Sequence, residues 1–471
     1  MIRPQRLELP WQEPKALAHQ LAHAYGEEGL VWLDGDGSNL GRWATLAVAP
    51  REIICCRGLP GEPGAGNPFE ALRGLAPGHW CGWLSYEAAA WVEPGNPWAS
   101  DGMATLWIAR HDPVLRFDLQ KRRLWIEASS TAALDRLTQQ LASVTEQPKG
   151  KPPSIPLTAW HHHTSADHYA AGVERITQQL ASSPEQPNDE PPSIPLTAWS
   201  HHTTPEQYAA GVQRIRDLIA AGDLFQANLT ACCSTAWPQG GSALELFLTL
   251  RQACPAPFAG LIISDQNEAL LSSSPERFLQ VSADGAVQTR PIKGTRPRHG
   301  DPEQDANLAA ELVCSDKDRA ENVMIVDLLR NDLGRACQPG SIQVPQLVGL
   351  ESYASVHHLT SVVEGQLQTG LSWVDLLEAS WPGGSISGAP KLRACQRLHE
   401  LEPTSRGPYC GSLLRVDWDG SFDSNILIRS LLRQGDTLRA HAGCGIVADS
   451  DPLGEAEELM WKLQPLLEAL A

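Results

Sequence analysis

Apolar residues recur in short runs over the first ~135 residues, each run closed by glycine, proline or a charged turn, and this pattern predicts strands. Residues 82–87 (GWLSYE) and 104–109 (ATLWIA) are apolar runs of strand length. Residues 115–119 and 123–127 flank a polar turn and predict a hairpin. From Tyr208 the period changes. Tyr208, Val212, Ile215 and Ile219 share one helical face, and Gly222 ends that helix. Further strands are predicted at 259–263, 277–281, 355–367, 411–417, 425–432 and 437–448, and helices at 308–314, 320–333 and 453–470. Hairpins mixed with helices predict an α+β fold with largely antiparallel sheets, not a doubly wound one.

Between the two halves lies a tandem repeat with an offset of 39 residues: 136–155 (RLTQQLASVTEQPKGKPPSI) returns as 175–194 (RITQQLASSPEQPNDEPPSI), and the match runs on through Tyr169/Tyr208. Two copies are too few for a solenoid. Only the second runs directly into 222–230, so it is expected to be built into the fold and the first to be a surface insertion. The chain is thus read as an N-terminal region (1–135), a duplicated linker (136–199) and a catalytic region (200–471). Histidines 161–163 and 201–202 lack a cysteine or carboxylate at ligand spacing, and the repeat accounts for their number.

Composition narrows the function. A chain of 471 residues with 42% hydrophobic and 20% charged residues can build a large core. Its net charge of −18 argues against nucleic-acid or anionic-membrane binding, so any anionic substrate needs local Lys and Arg. No signal-like leader or membrane-length apolar run stands out. The 11 cysteines form no CxxC, as expected of thiols in a reducing cytoplasm.

Four segments carry candidate chemistry. Glu455, Glu458 and Lys462 fall on one helical face. Adjacent carboxylates suit a hard divalent cation such as Mg2+, and the lysine one turn on suits a carboxylate ligand; the same spacing also describes a solvated salt bridge. Glu321 opens the apolar part of a charge-bordered helix and offers a third carboxylate, although an ordinary amphipathic helix reads the same way. The loop 382–391 (PGGSISGAPK) precedes a helix and either holds an anion on its backbone N–H groups or is simply a tight turn. Lys293, in 290–298 (RPIKGTRPR), sits between a proline-fixed approach and a glycine. In a cleft, burial would free its amine as a nucleophile; otherwise it belongs to a basic surface turn. No Walker loop, GxGxxG or GxSxG occurs.

In this order the segments resemble the chorismate-utilising family, which includes anthranilate synthase component I, aminodeoxychorismate synthase component I, isochorismate synthase and salicylate synthase. The motifs are SPERF (274–278), PIKGTRPR (291–298), DRAENVMIVDLLRNDLGR (318–335), HLTSVVEG (358–365), PGGSISGAPK (382–391), and AGCGIVADS (442–450) with the closing ExxExxxK. The resemblance is strong over 200–471 and looser before it. It implies a large sandwich of two facing antiparallel sheets with helices outside. PIKGT, where anthranilate synthases usually have PIAGT, points to the aminodeoxychorismate branch.

That branch implies Lys293 as covalent nucleophile, Glu276 as acid–base group, and His358 and Thr295 near the ring carboxylate. It also implies Glu321, Glu458 and Glu455 around Mg2+, and Arg429, Tyr409, Lys462, Gly443 and Gly445 around the enolpyruvyl side. Chorismate would be the substrate, a separate glutamine amidotransferase the ammonia source, and an aminodeoxychorismate lyase the next enzyme. No GxCxG segment for glutamine hydrolysis occurs in this chain. Two departures stand near the inferred enolpyruvyl site: Cys444, where Gly or Ala is usual, and Leu413-Leu414, where a Gly is usual.

The insertion reading makes a prediction. Deleting most of residues 140–178 should leave chorismate consumption in place; a truncated chain that no longer folds would show the first copy to be structural.

Overall fold

A computed structural model of the chain describes residues 3–145, 193–353 and 356–471. Two antiparallel sheets face each other. The larger has twelve strands, in the order Gln5–Leu9, Arg123–Ala128, Val114–Asp118, Trp43–Ala47, Val31–Asp34, Phe258–Ile263, Glu268–Ser274, Ser430–Gln434, Thr437–Ile446, Gln226–Ala236, Gly388–Ala389, with Ser200–His201 also on Gln226–Ala236. The smaller has ten: Ile292–Pro297, Val356–Gln366, Ala286–Thr289, Arg277–Val281, Phe422–Asn425, Ser412–Val416, His79–Leu84, Leu106–His111 and Glu52–Cys56, with Gln343–Ser352 on Val356–Gln366. Each sheet draws strands from both halves of the chain. Val31–Asp34 pairs with Phe258–Ile263, and His79–Leu84 with Ser412–Val416.

Strict alternation explains why the central strands read as unbroken apolar runs. Val31, Leu33, Ile262, Leu270 and Leu432 point into the core between the sheets, where they meet Trp80, Trp83 and Trp107. Their neighbours Trp32, Leu261, Leu271 and Leu431 point outward under the helices. Both faces of the larger sheet are therefore covered, a burden usually met by strands rich in Leu, Ile and Val.

The outer helices begin where their sequences say they should. Pro205–Ala220 has Pro at its start and a capping box between Thr204 and Gln207. Pro452–Glu468 starts on Asp451, whose carboxylate accepts from Gly454 N–H. The second repeat copy is part of this layer: Trp199 and Tyr208 are buried, and the Tyr208 hydroxyl donates to Leu229 O at 2.9 Å. The first copy's opening residues belong to the helix Thr131–Thr145, with Leu137 and Leu141 buried; its remainder lies outside the described residues.

Two expectations change. The helices predicted at 308–314 and 320–333 run Pro302–Cys314 and Asp316–Gly334, because their polar first turns are capped by Asp301 and Ser315 and carry no apolar signal. The strand predicted at 425–432 is two strands in two sheets. Phe422–Asn425 ends in the smaller sheet, the chain crosses with Arg429 at φ 51°, and Ser430–Gln434 begins in the larger. Apolar Ile426, Leu427 and Ile428 fill the crossing between the sheets, so hydrophobicity alone could not reveal the break.

Candidate active site

Arg429, on this crossing, comes within electrostatic reach of His358, and Glu276, from another turn between the sheets, comes beside the strand Ile292–Pro297. Glu276 follows the strand Glu268–Ser274, and its carbonyl accepts from Ile426 N–H at 3.0 Å. Its carboxyl is buried, and burial pushes it up to about 7 against the opposing pull of the Ser385 hydroxyl, Lys293 and the Ile292 backbone. Lys293 lies on the strand that pairs with Val356–Gln366, which also carries His358. The expected free amine is instead half of a buried ion pair: Lys293 Nζ donates to Glu321 Oε1 at 2.7 Å, with the two side chains 11% and 9% exposed.

Gly445 makes this approach possible. A Cβ there would stand 2.3 Å from Glu321 Oε1, 2.8 Å from Gln226 Nε2 and 3.2 Å from Lys293 Nζ. Gly443, two residues earlier on the same face, presses on Leu229 O and Thr230. Gln226 was not singled out from the sequence. It is fully buried, donates to Glu321 Oε1 at 3.2 Å, and its side-chain Oε1 has no hydrogen-bond partner among the described residues. Nothing in the strand QANLTACCSTA, where Asn228 offers a second amide, set Gln226 apart; an orphaned buried acceptor marks a place for a ligand's donor.

His358 is held by Thr295, whose Oγ1 lies 2.9 Å from Nδ1. Burial, with Arg429 adding to it, pushes the imidazole down to about 3, so it is neutral. Its Nε2 is buried without a hydrogen-bond partner among the described residues. Arg429 is half-buried, and burial lowers its pKa. Among the described residues its guanidinium forms no ion pair, which leaves it free for an anion. Tyr409 stands apart from these groups, stacked on His441 with ring centroids 5.0 Å apart.

The three candidate metal ligands each hold a lysine. Besides the Lys293 pair, Glu455 Oε1 accepts from Lys317 Nζ at 3.0 Å and from Ser450 Oγ at 2.6 Å, and Glu458 pairs with Lys462 at 2.7 Å. The carboxylates of Glu455 and Glu458 come together with Cys444 Sγ, all within 4.8 Å. Glu321 is turned to Lys293, although its charge reaches both Lys317 and Lys462. Carboxylate oxygens in this number fit a hard divalent cation. Lys462, expected to grip substrate, spends its ammonium on Glu458 and on Gly443 O at 3.0 Å.

The glycine loop is tightly packed. Gly384 abuts Leu328, Gly388 at φ 148° abuts Gln226 O, and Lys391 Nζ is committed to Asp332 at 2.7 Å. What the loop brings to the site is Ser385, beside Glu276.

Residues 177–468 match the family model for chorismate binding enzymes, and the chain belongs to that family. It is 47% identical over 250 residues to aminodeoxychorismate synthase component 1 of Klebsiella aerogenes, covering 53% of this chain and 54% of that one. With the Escherichia coli K12 protein of the same name it shares 44% over 254 residues, 54% and 55% of the two chains. These matches span about half the length of those relatives. An anthranilate synthase component I-like protein of Synechocystis is 32% identical over 475 residues, covering 95% of this chain and 88% of that protein. The crystal structure of anthranilate synthase component I from Streptococcus pneumoniae TIGR4 superposes with a TM-score of 0.69 at 26% identity, over 90% and 92% of the two chains. The fold is thus that of anthranilate synthase component I. Among the described residues no helix is long and apolar enough to cross a membrane.

Glu276 makes a testable stability prediction. Its folded pKa lies above the ordinary 4.5, so it costs nothing while protonated and destabilises progressively as pH rises from about 4.5 through about 7. Glu276→Gln should therefore stabilise the protein at about pH 8, by up to about 3 kcal/mol, and change little at about pH 4.5. Equal effects in urea unfolding at both pH values would contradict the buried, proton-holding carboxyl.

Proposed function

We propose that the chain is the synthase component of aminodeoxychorismate synthase, converting chorismate and ammonia to 4-amino-4-deoxychorismate on the route to p-aminobenzoate and folate. The observation that carries this reading is Lys293, in PIKGT, buried beside Glu321 and within electrostatic reach of Glu276. An alanine there, as in PIAGT, could form no covalent bond to substrate.

In this reading the Lys293 amine attacks C2 of chorismate. The ring double bonds shift, the C4–O bond breaks, and Glu276 gives its proton to the departing hydroxyl, which leaves as water. A carboxyl titrating at about 7 is well matched to that task near neutral pH. Ammonia then adds at C4, the double bonds shift back, and the C2–N bond to Lys293 breaks. Dividing one hard displacement into two is the gain of a covalent nucleophile.

Glu321 and Glu458, with Glu455 directly or through water, would hold Mg2+, which supplies a fixed positive charge for a substrate carboxylate. Glu321 is both the partner of Lys293 and a candidate ligand. His358 offers a neutral nitrogen near the ring carboxylate, oriented by Thr295. Arg429, without an ion pair among the described residues, suits the enolpyruvyl carboxylate, together with the amides around Gly443 and Gly445; Tyr409, stacked on His441, has no hydrogen bond or ring contact with Arg429 here, and Lys462 joins the group only by leaving Glu458. Ammonia would come from a separate glutamine amidotransferase, and an aminodeoxychorismate lyase would consume the product in the cytoplasm.

Incubating the chain with chorismate and Mg2+ should give a covalent adduct in the intact mass spectrum, and Lys293→Ala should abolish it. An unchanged adduct in that variant would overturn the nucleophile assignment.

A further inference from the structure

Alternation along Thr437–Ile446 turns Gly443 and Gly445 toward the Lys293 pair and Cys444 to the opposite face, beneath the helix Pro452–Glu468. The Cys444 side chain is fully buried there. A serine or alanine would pack as well in such a place, so packing alone does not call for sulfur. What distinguishes the position is its company. Its Sγ and one carboxylate oxygen each of Glu455 and Glu458 lie within 4.8 Å of one another. Zinc holds sulfur at about 2.3 Å and carboxylate oxygen at about 2.0–2.2 Å, so atoms around one ion stand no more than about 4.5 Å apart. The three atoms need little movement to share an ion. A cation already occupies the place: Lys462 Nζ is 2.7 Å from Glu458 Oε1, 3.7 Å from Cys444 Sγ and 3.0 Å from Gly443 O.

We propose that Cys444, Glu455 and Glu458 form a binding site for thiophilic divalent cations of the Zn2+ and Cd2+ type, and that such an ion excludes Mg2+ from the neighbouring carboxylates. The second half rests on the Mg2+ reading given above; the first stands on the thiol and carboxylate geometry alone. On binding, the sulfur–metal bond forms as the thiol proton passes to solvent, each carboxylate ligates through one oxygen, the Lys462 ammonium swings away from Glu458, and Glu455 either keeps Lys317 on its other oxygen or releases it. No electron changes hands. The donor set explains the preference: a thiolate favours zinc-like ions, whereas Mg2+ gains nothing from sulfur. Chorismate turnover by this chain should then be blocked by Zn2+ and restored by a chelator, a sensitivity that a glycine or alanine at this position would not confer.

The test is Cd2+ binding to the purified full chain, followed by equilibrium dialysis and by thiolate-to-cadmium charge-transfer absorption in the ultraviolet. The expected result is one tight Cd2+ with that absorption. Cys444→Ala should lose the absorption and bind Cd2+ at least roughly 10-fold more weakly. Cys444→Ser, almost isosteric, should behave like it and serves if the alanine variant does not fold. Tight binding and absorption that persist in the variants, or neither in the wild type, would overturn the site. Mg2+ should also shift the wild-type Cd2+ titration to higher concentration. If Cd2+ binds through Cys444 and Mg2+ shifts nothing, the thiol site stands and the shared occupancy is refuted. If Mg2+ supports chorismate turnover while Cd2+ finds no thiolate, the soft-metal site alone has failed.

Discussion

A lysine and a glutamate with little access to water cost several kcal/mol each to desolvate, and only a short, well-oriented contact offsets that cost. The pair between Lys293 and Glu321 is such a contact, and the surrounding architecture serves it. The strand Thr437–Ile446 passes close enough to seal it because Gly445 has no side chain. Gln226 adds a second donor to Glu321 from the adjacent strand. Glu321 itself is set by the helix Asp316–Gly334, whose Asn322 donates to Leu359 O at 3.1 Å and so ties the helix to the strand that carries His358. Removing one partner would strand the other charge, a loss of about 3–5 kcal/mol. Pairs this expensive persist where the charges have another use, which is the role proposed above for both residues.

The same economy runs through the rest of the site. Three carboxylates face three lysines, so the charges of these six groups balance one another. Glu276 is kept near a half-protonated state by burial, and His358 is kept neutral by the same means. Arg429 has no counter-ion among the described residues, and His358 Nε2 and the Gln226 carbonyl oxygen have no hydrogen-bond partner. Unsatisfied polar groups are costly in a finished core and are useful where a ligand completes them. A dianionic substrate with a hydroxyl group matches that deficit.

Much of this was legible in the sequence because the central strands are covered on both faces. A continuous apolar run such as 259–263 fits a strand buried on both faces. The motifs were legible through their resemblance to a known family, and the fold brings Lys293, Glu321 and Gly445 together with Glu276 in electrostatic reach. The failures have physical causes. Ile426, Leu427 and Ile428 are as apolar as a strand because they cross between two sheets inside a core. Ser385 and Gln226 escaped notice because a serine in a glycine loop and an amide in a strand carry no periodic signal. The lysine partners of the acidic residues were beyond reach, since Lys317 meets Glu455 from 138 positions away.

The central claim is that Lys293 commits this chain to amination at C4 of chorismate. The most direct measurement is a product assay with chorismate, Mg2+ and an ammonium salt at mildly alkaline pH, run with and without an aminodeoxychorismate lyase and read by mass and fluorescence. The account predicts p-aminobenzoate only when the lyase is present. Fluorescent anthranilate formed without it would contradict the account and place the chain in tryptophan synthesis.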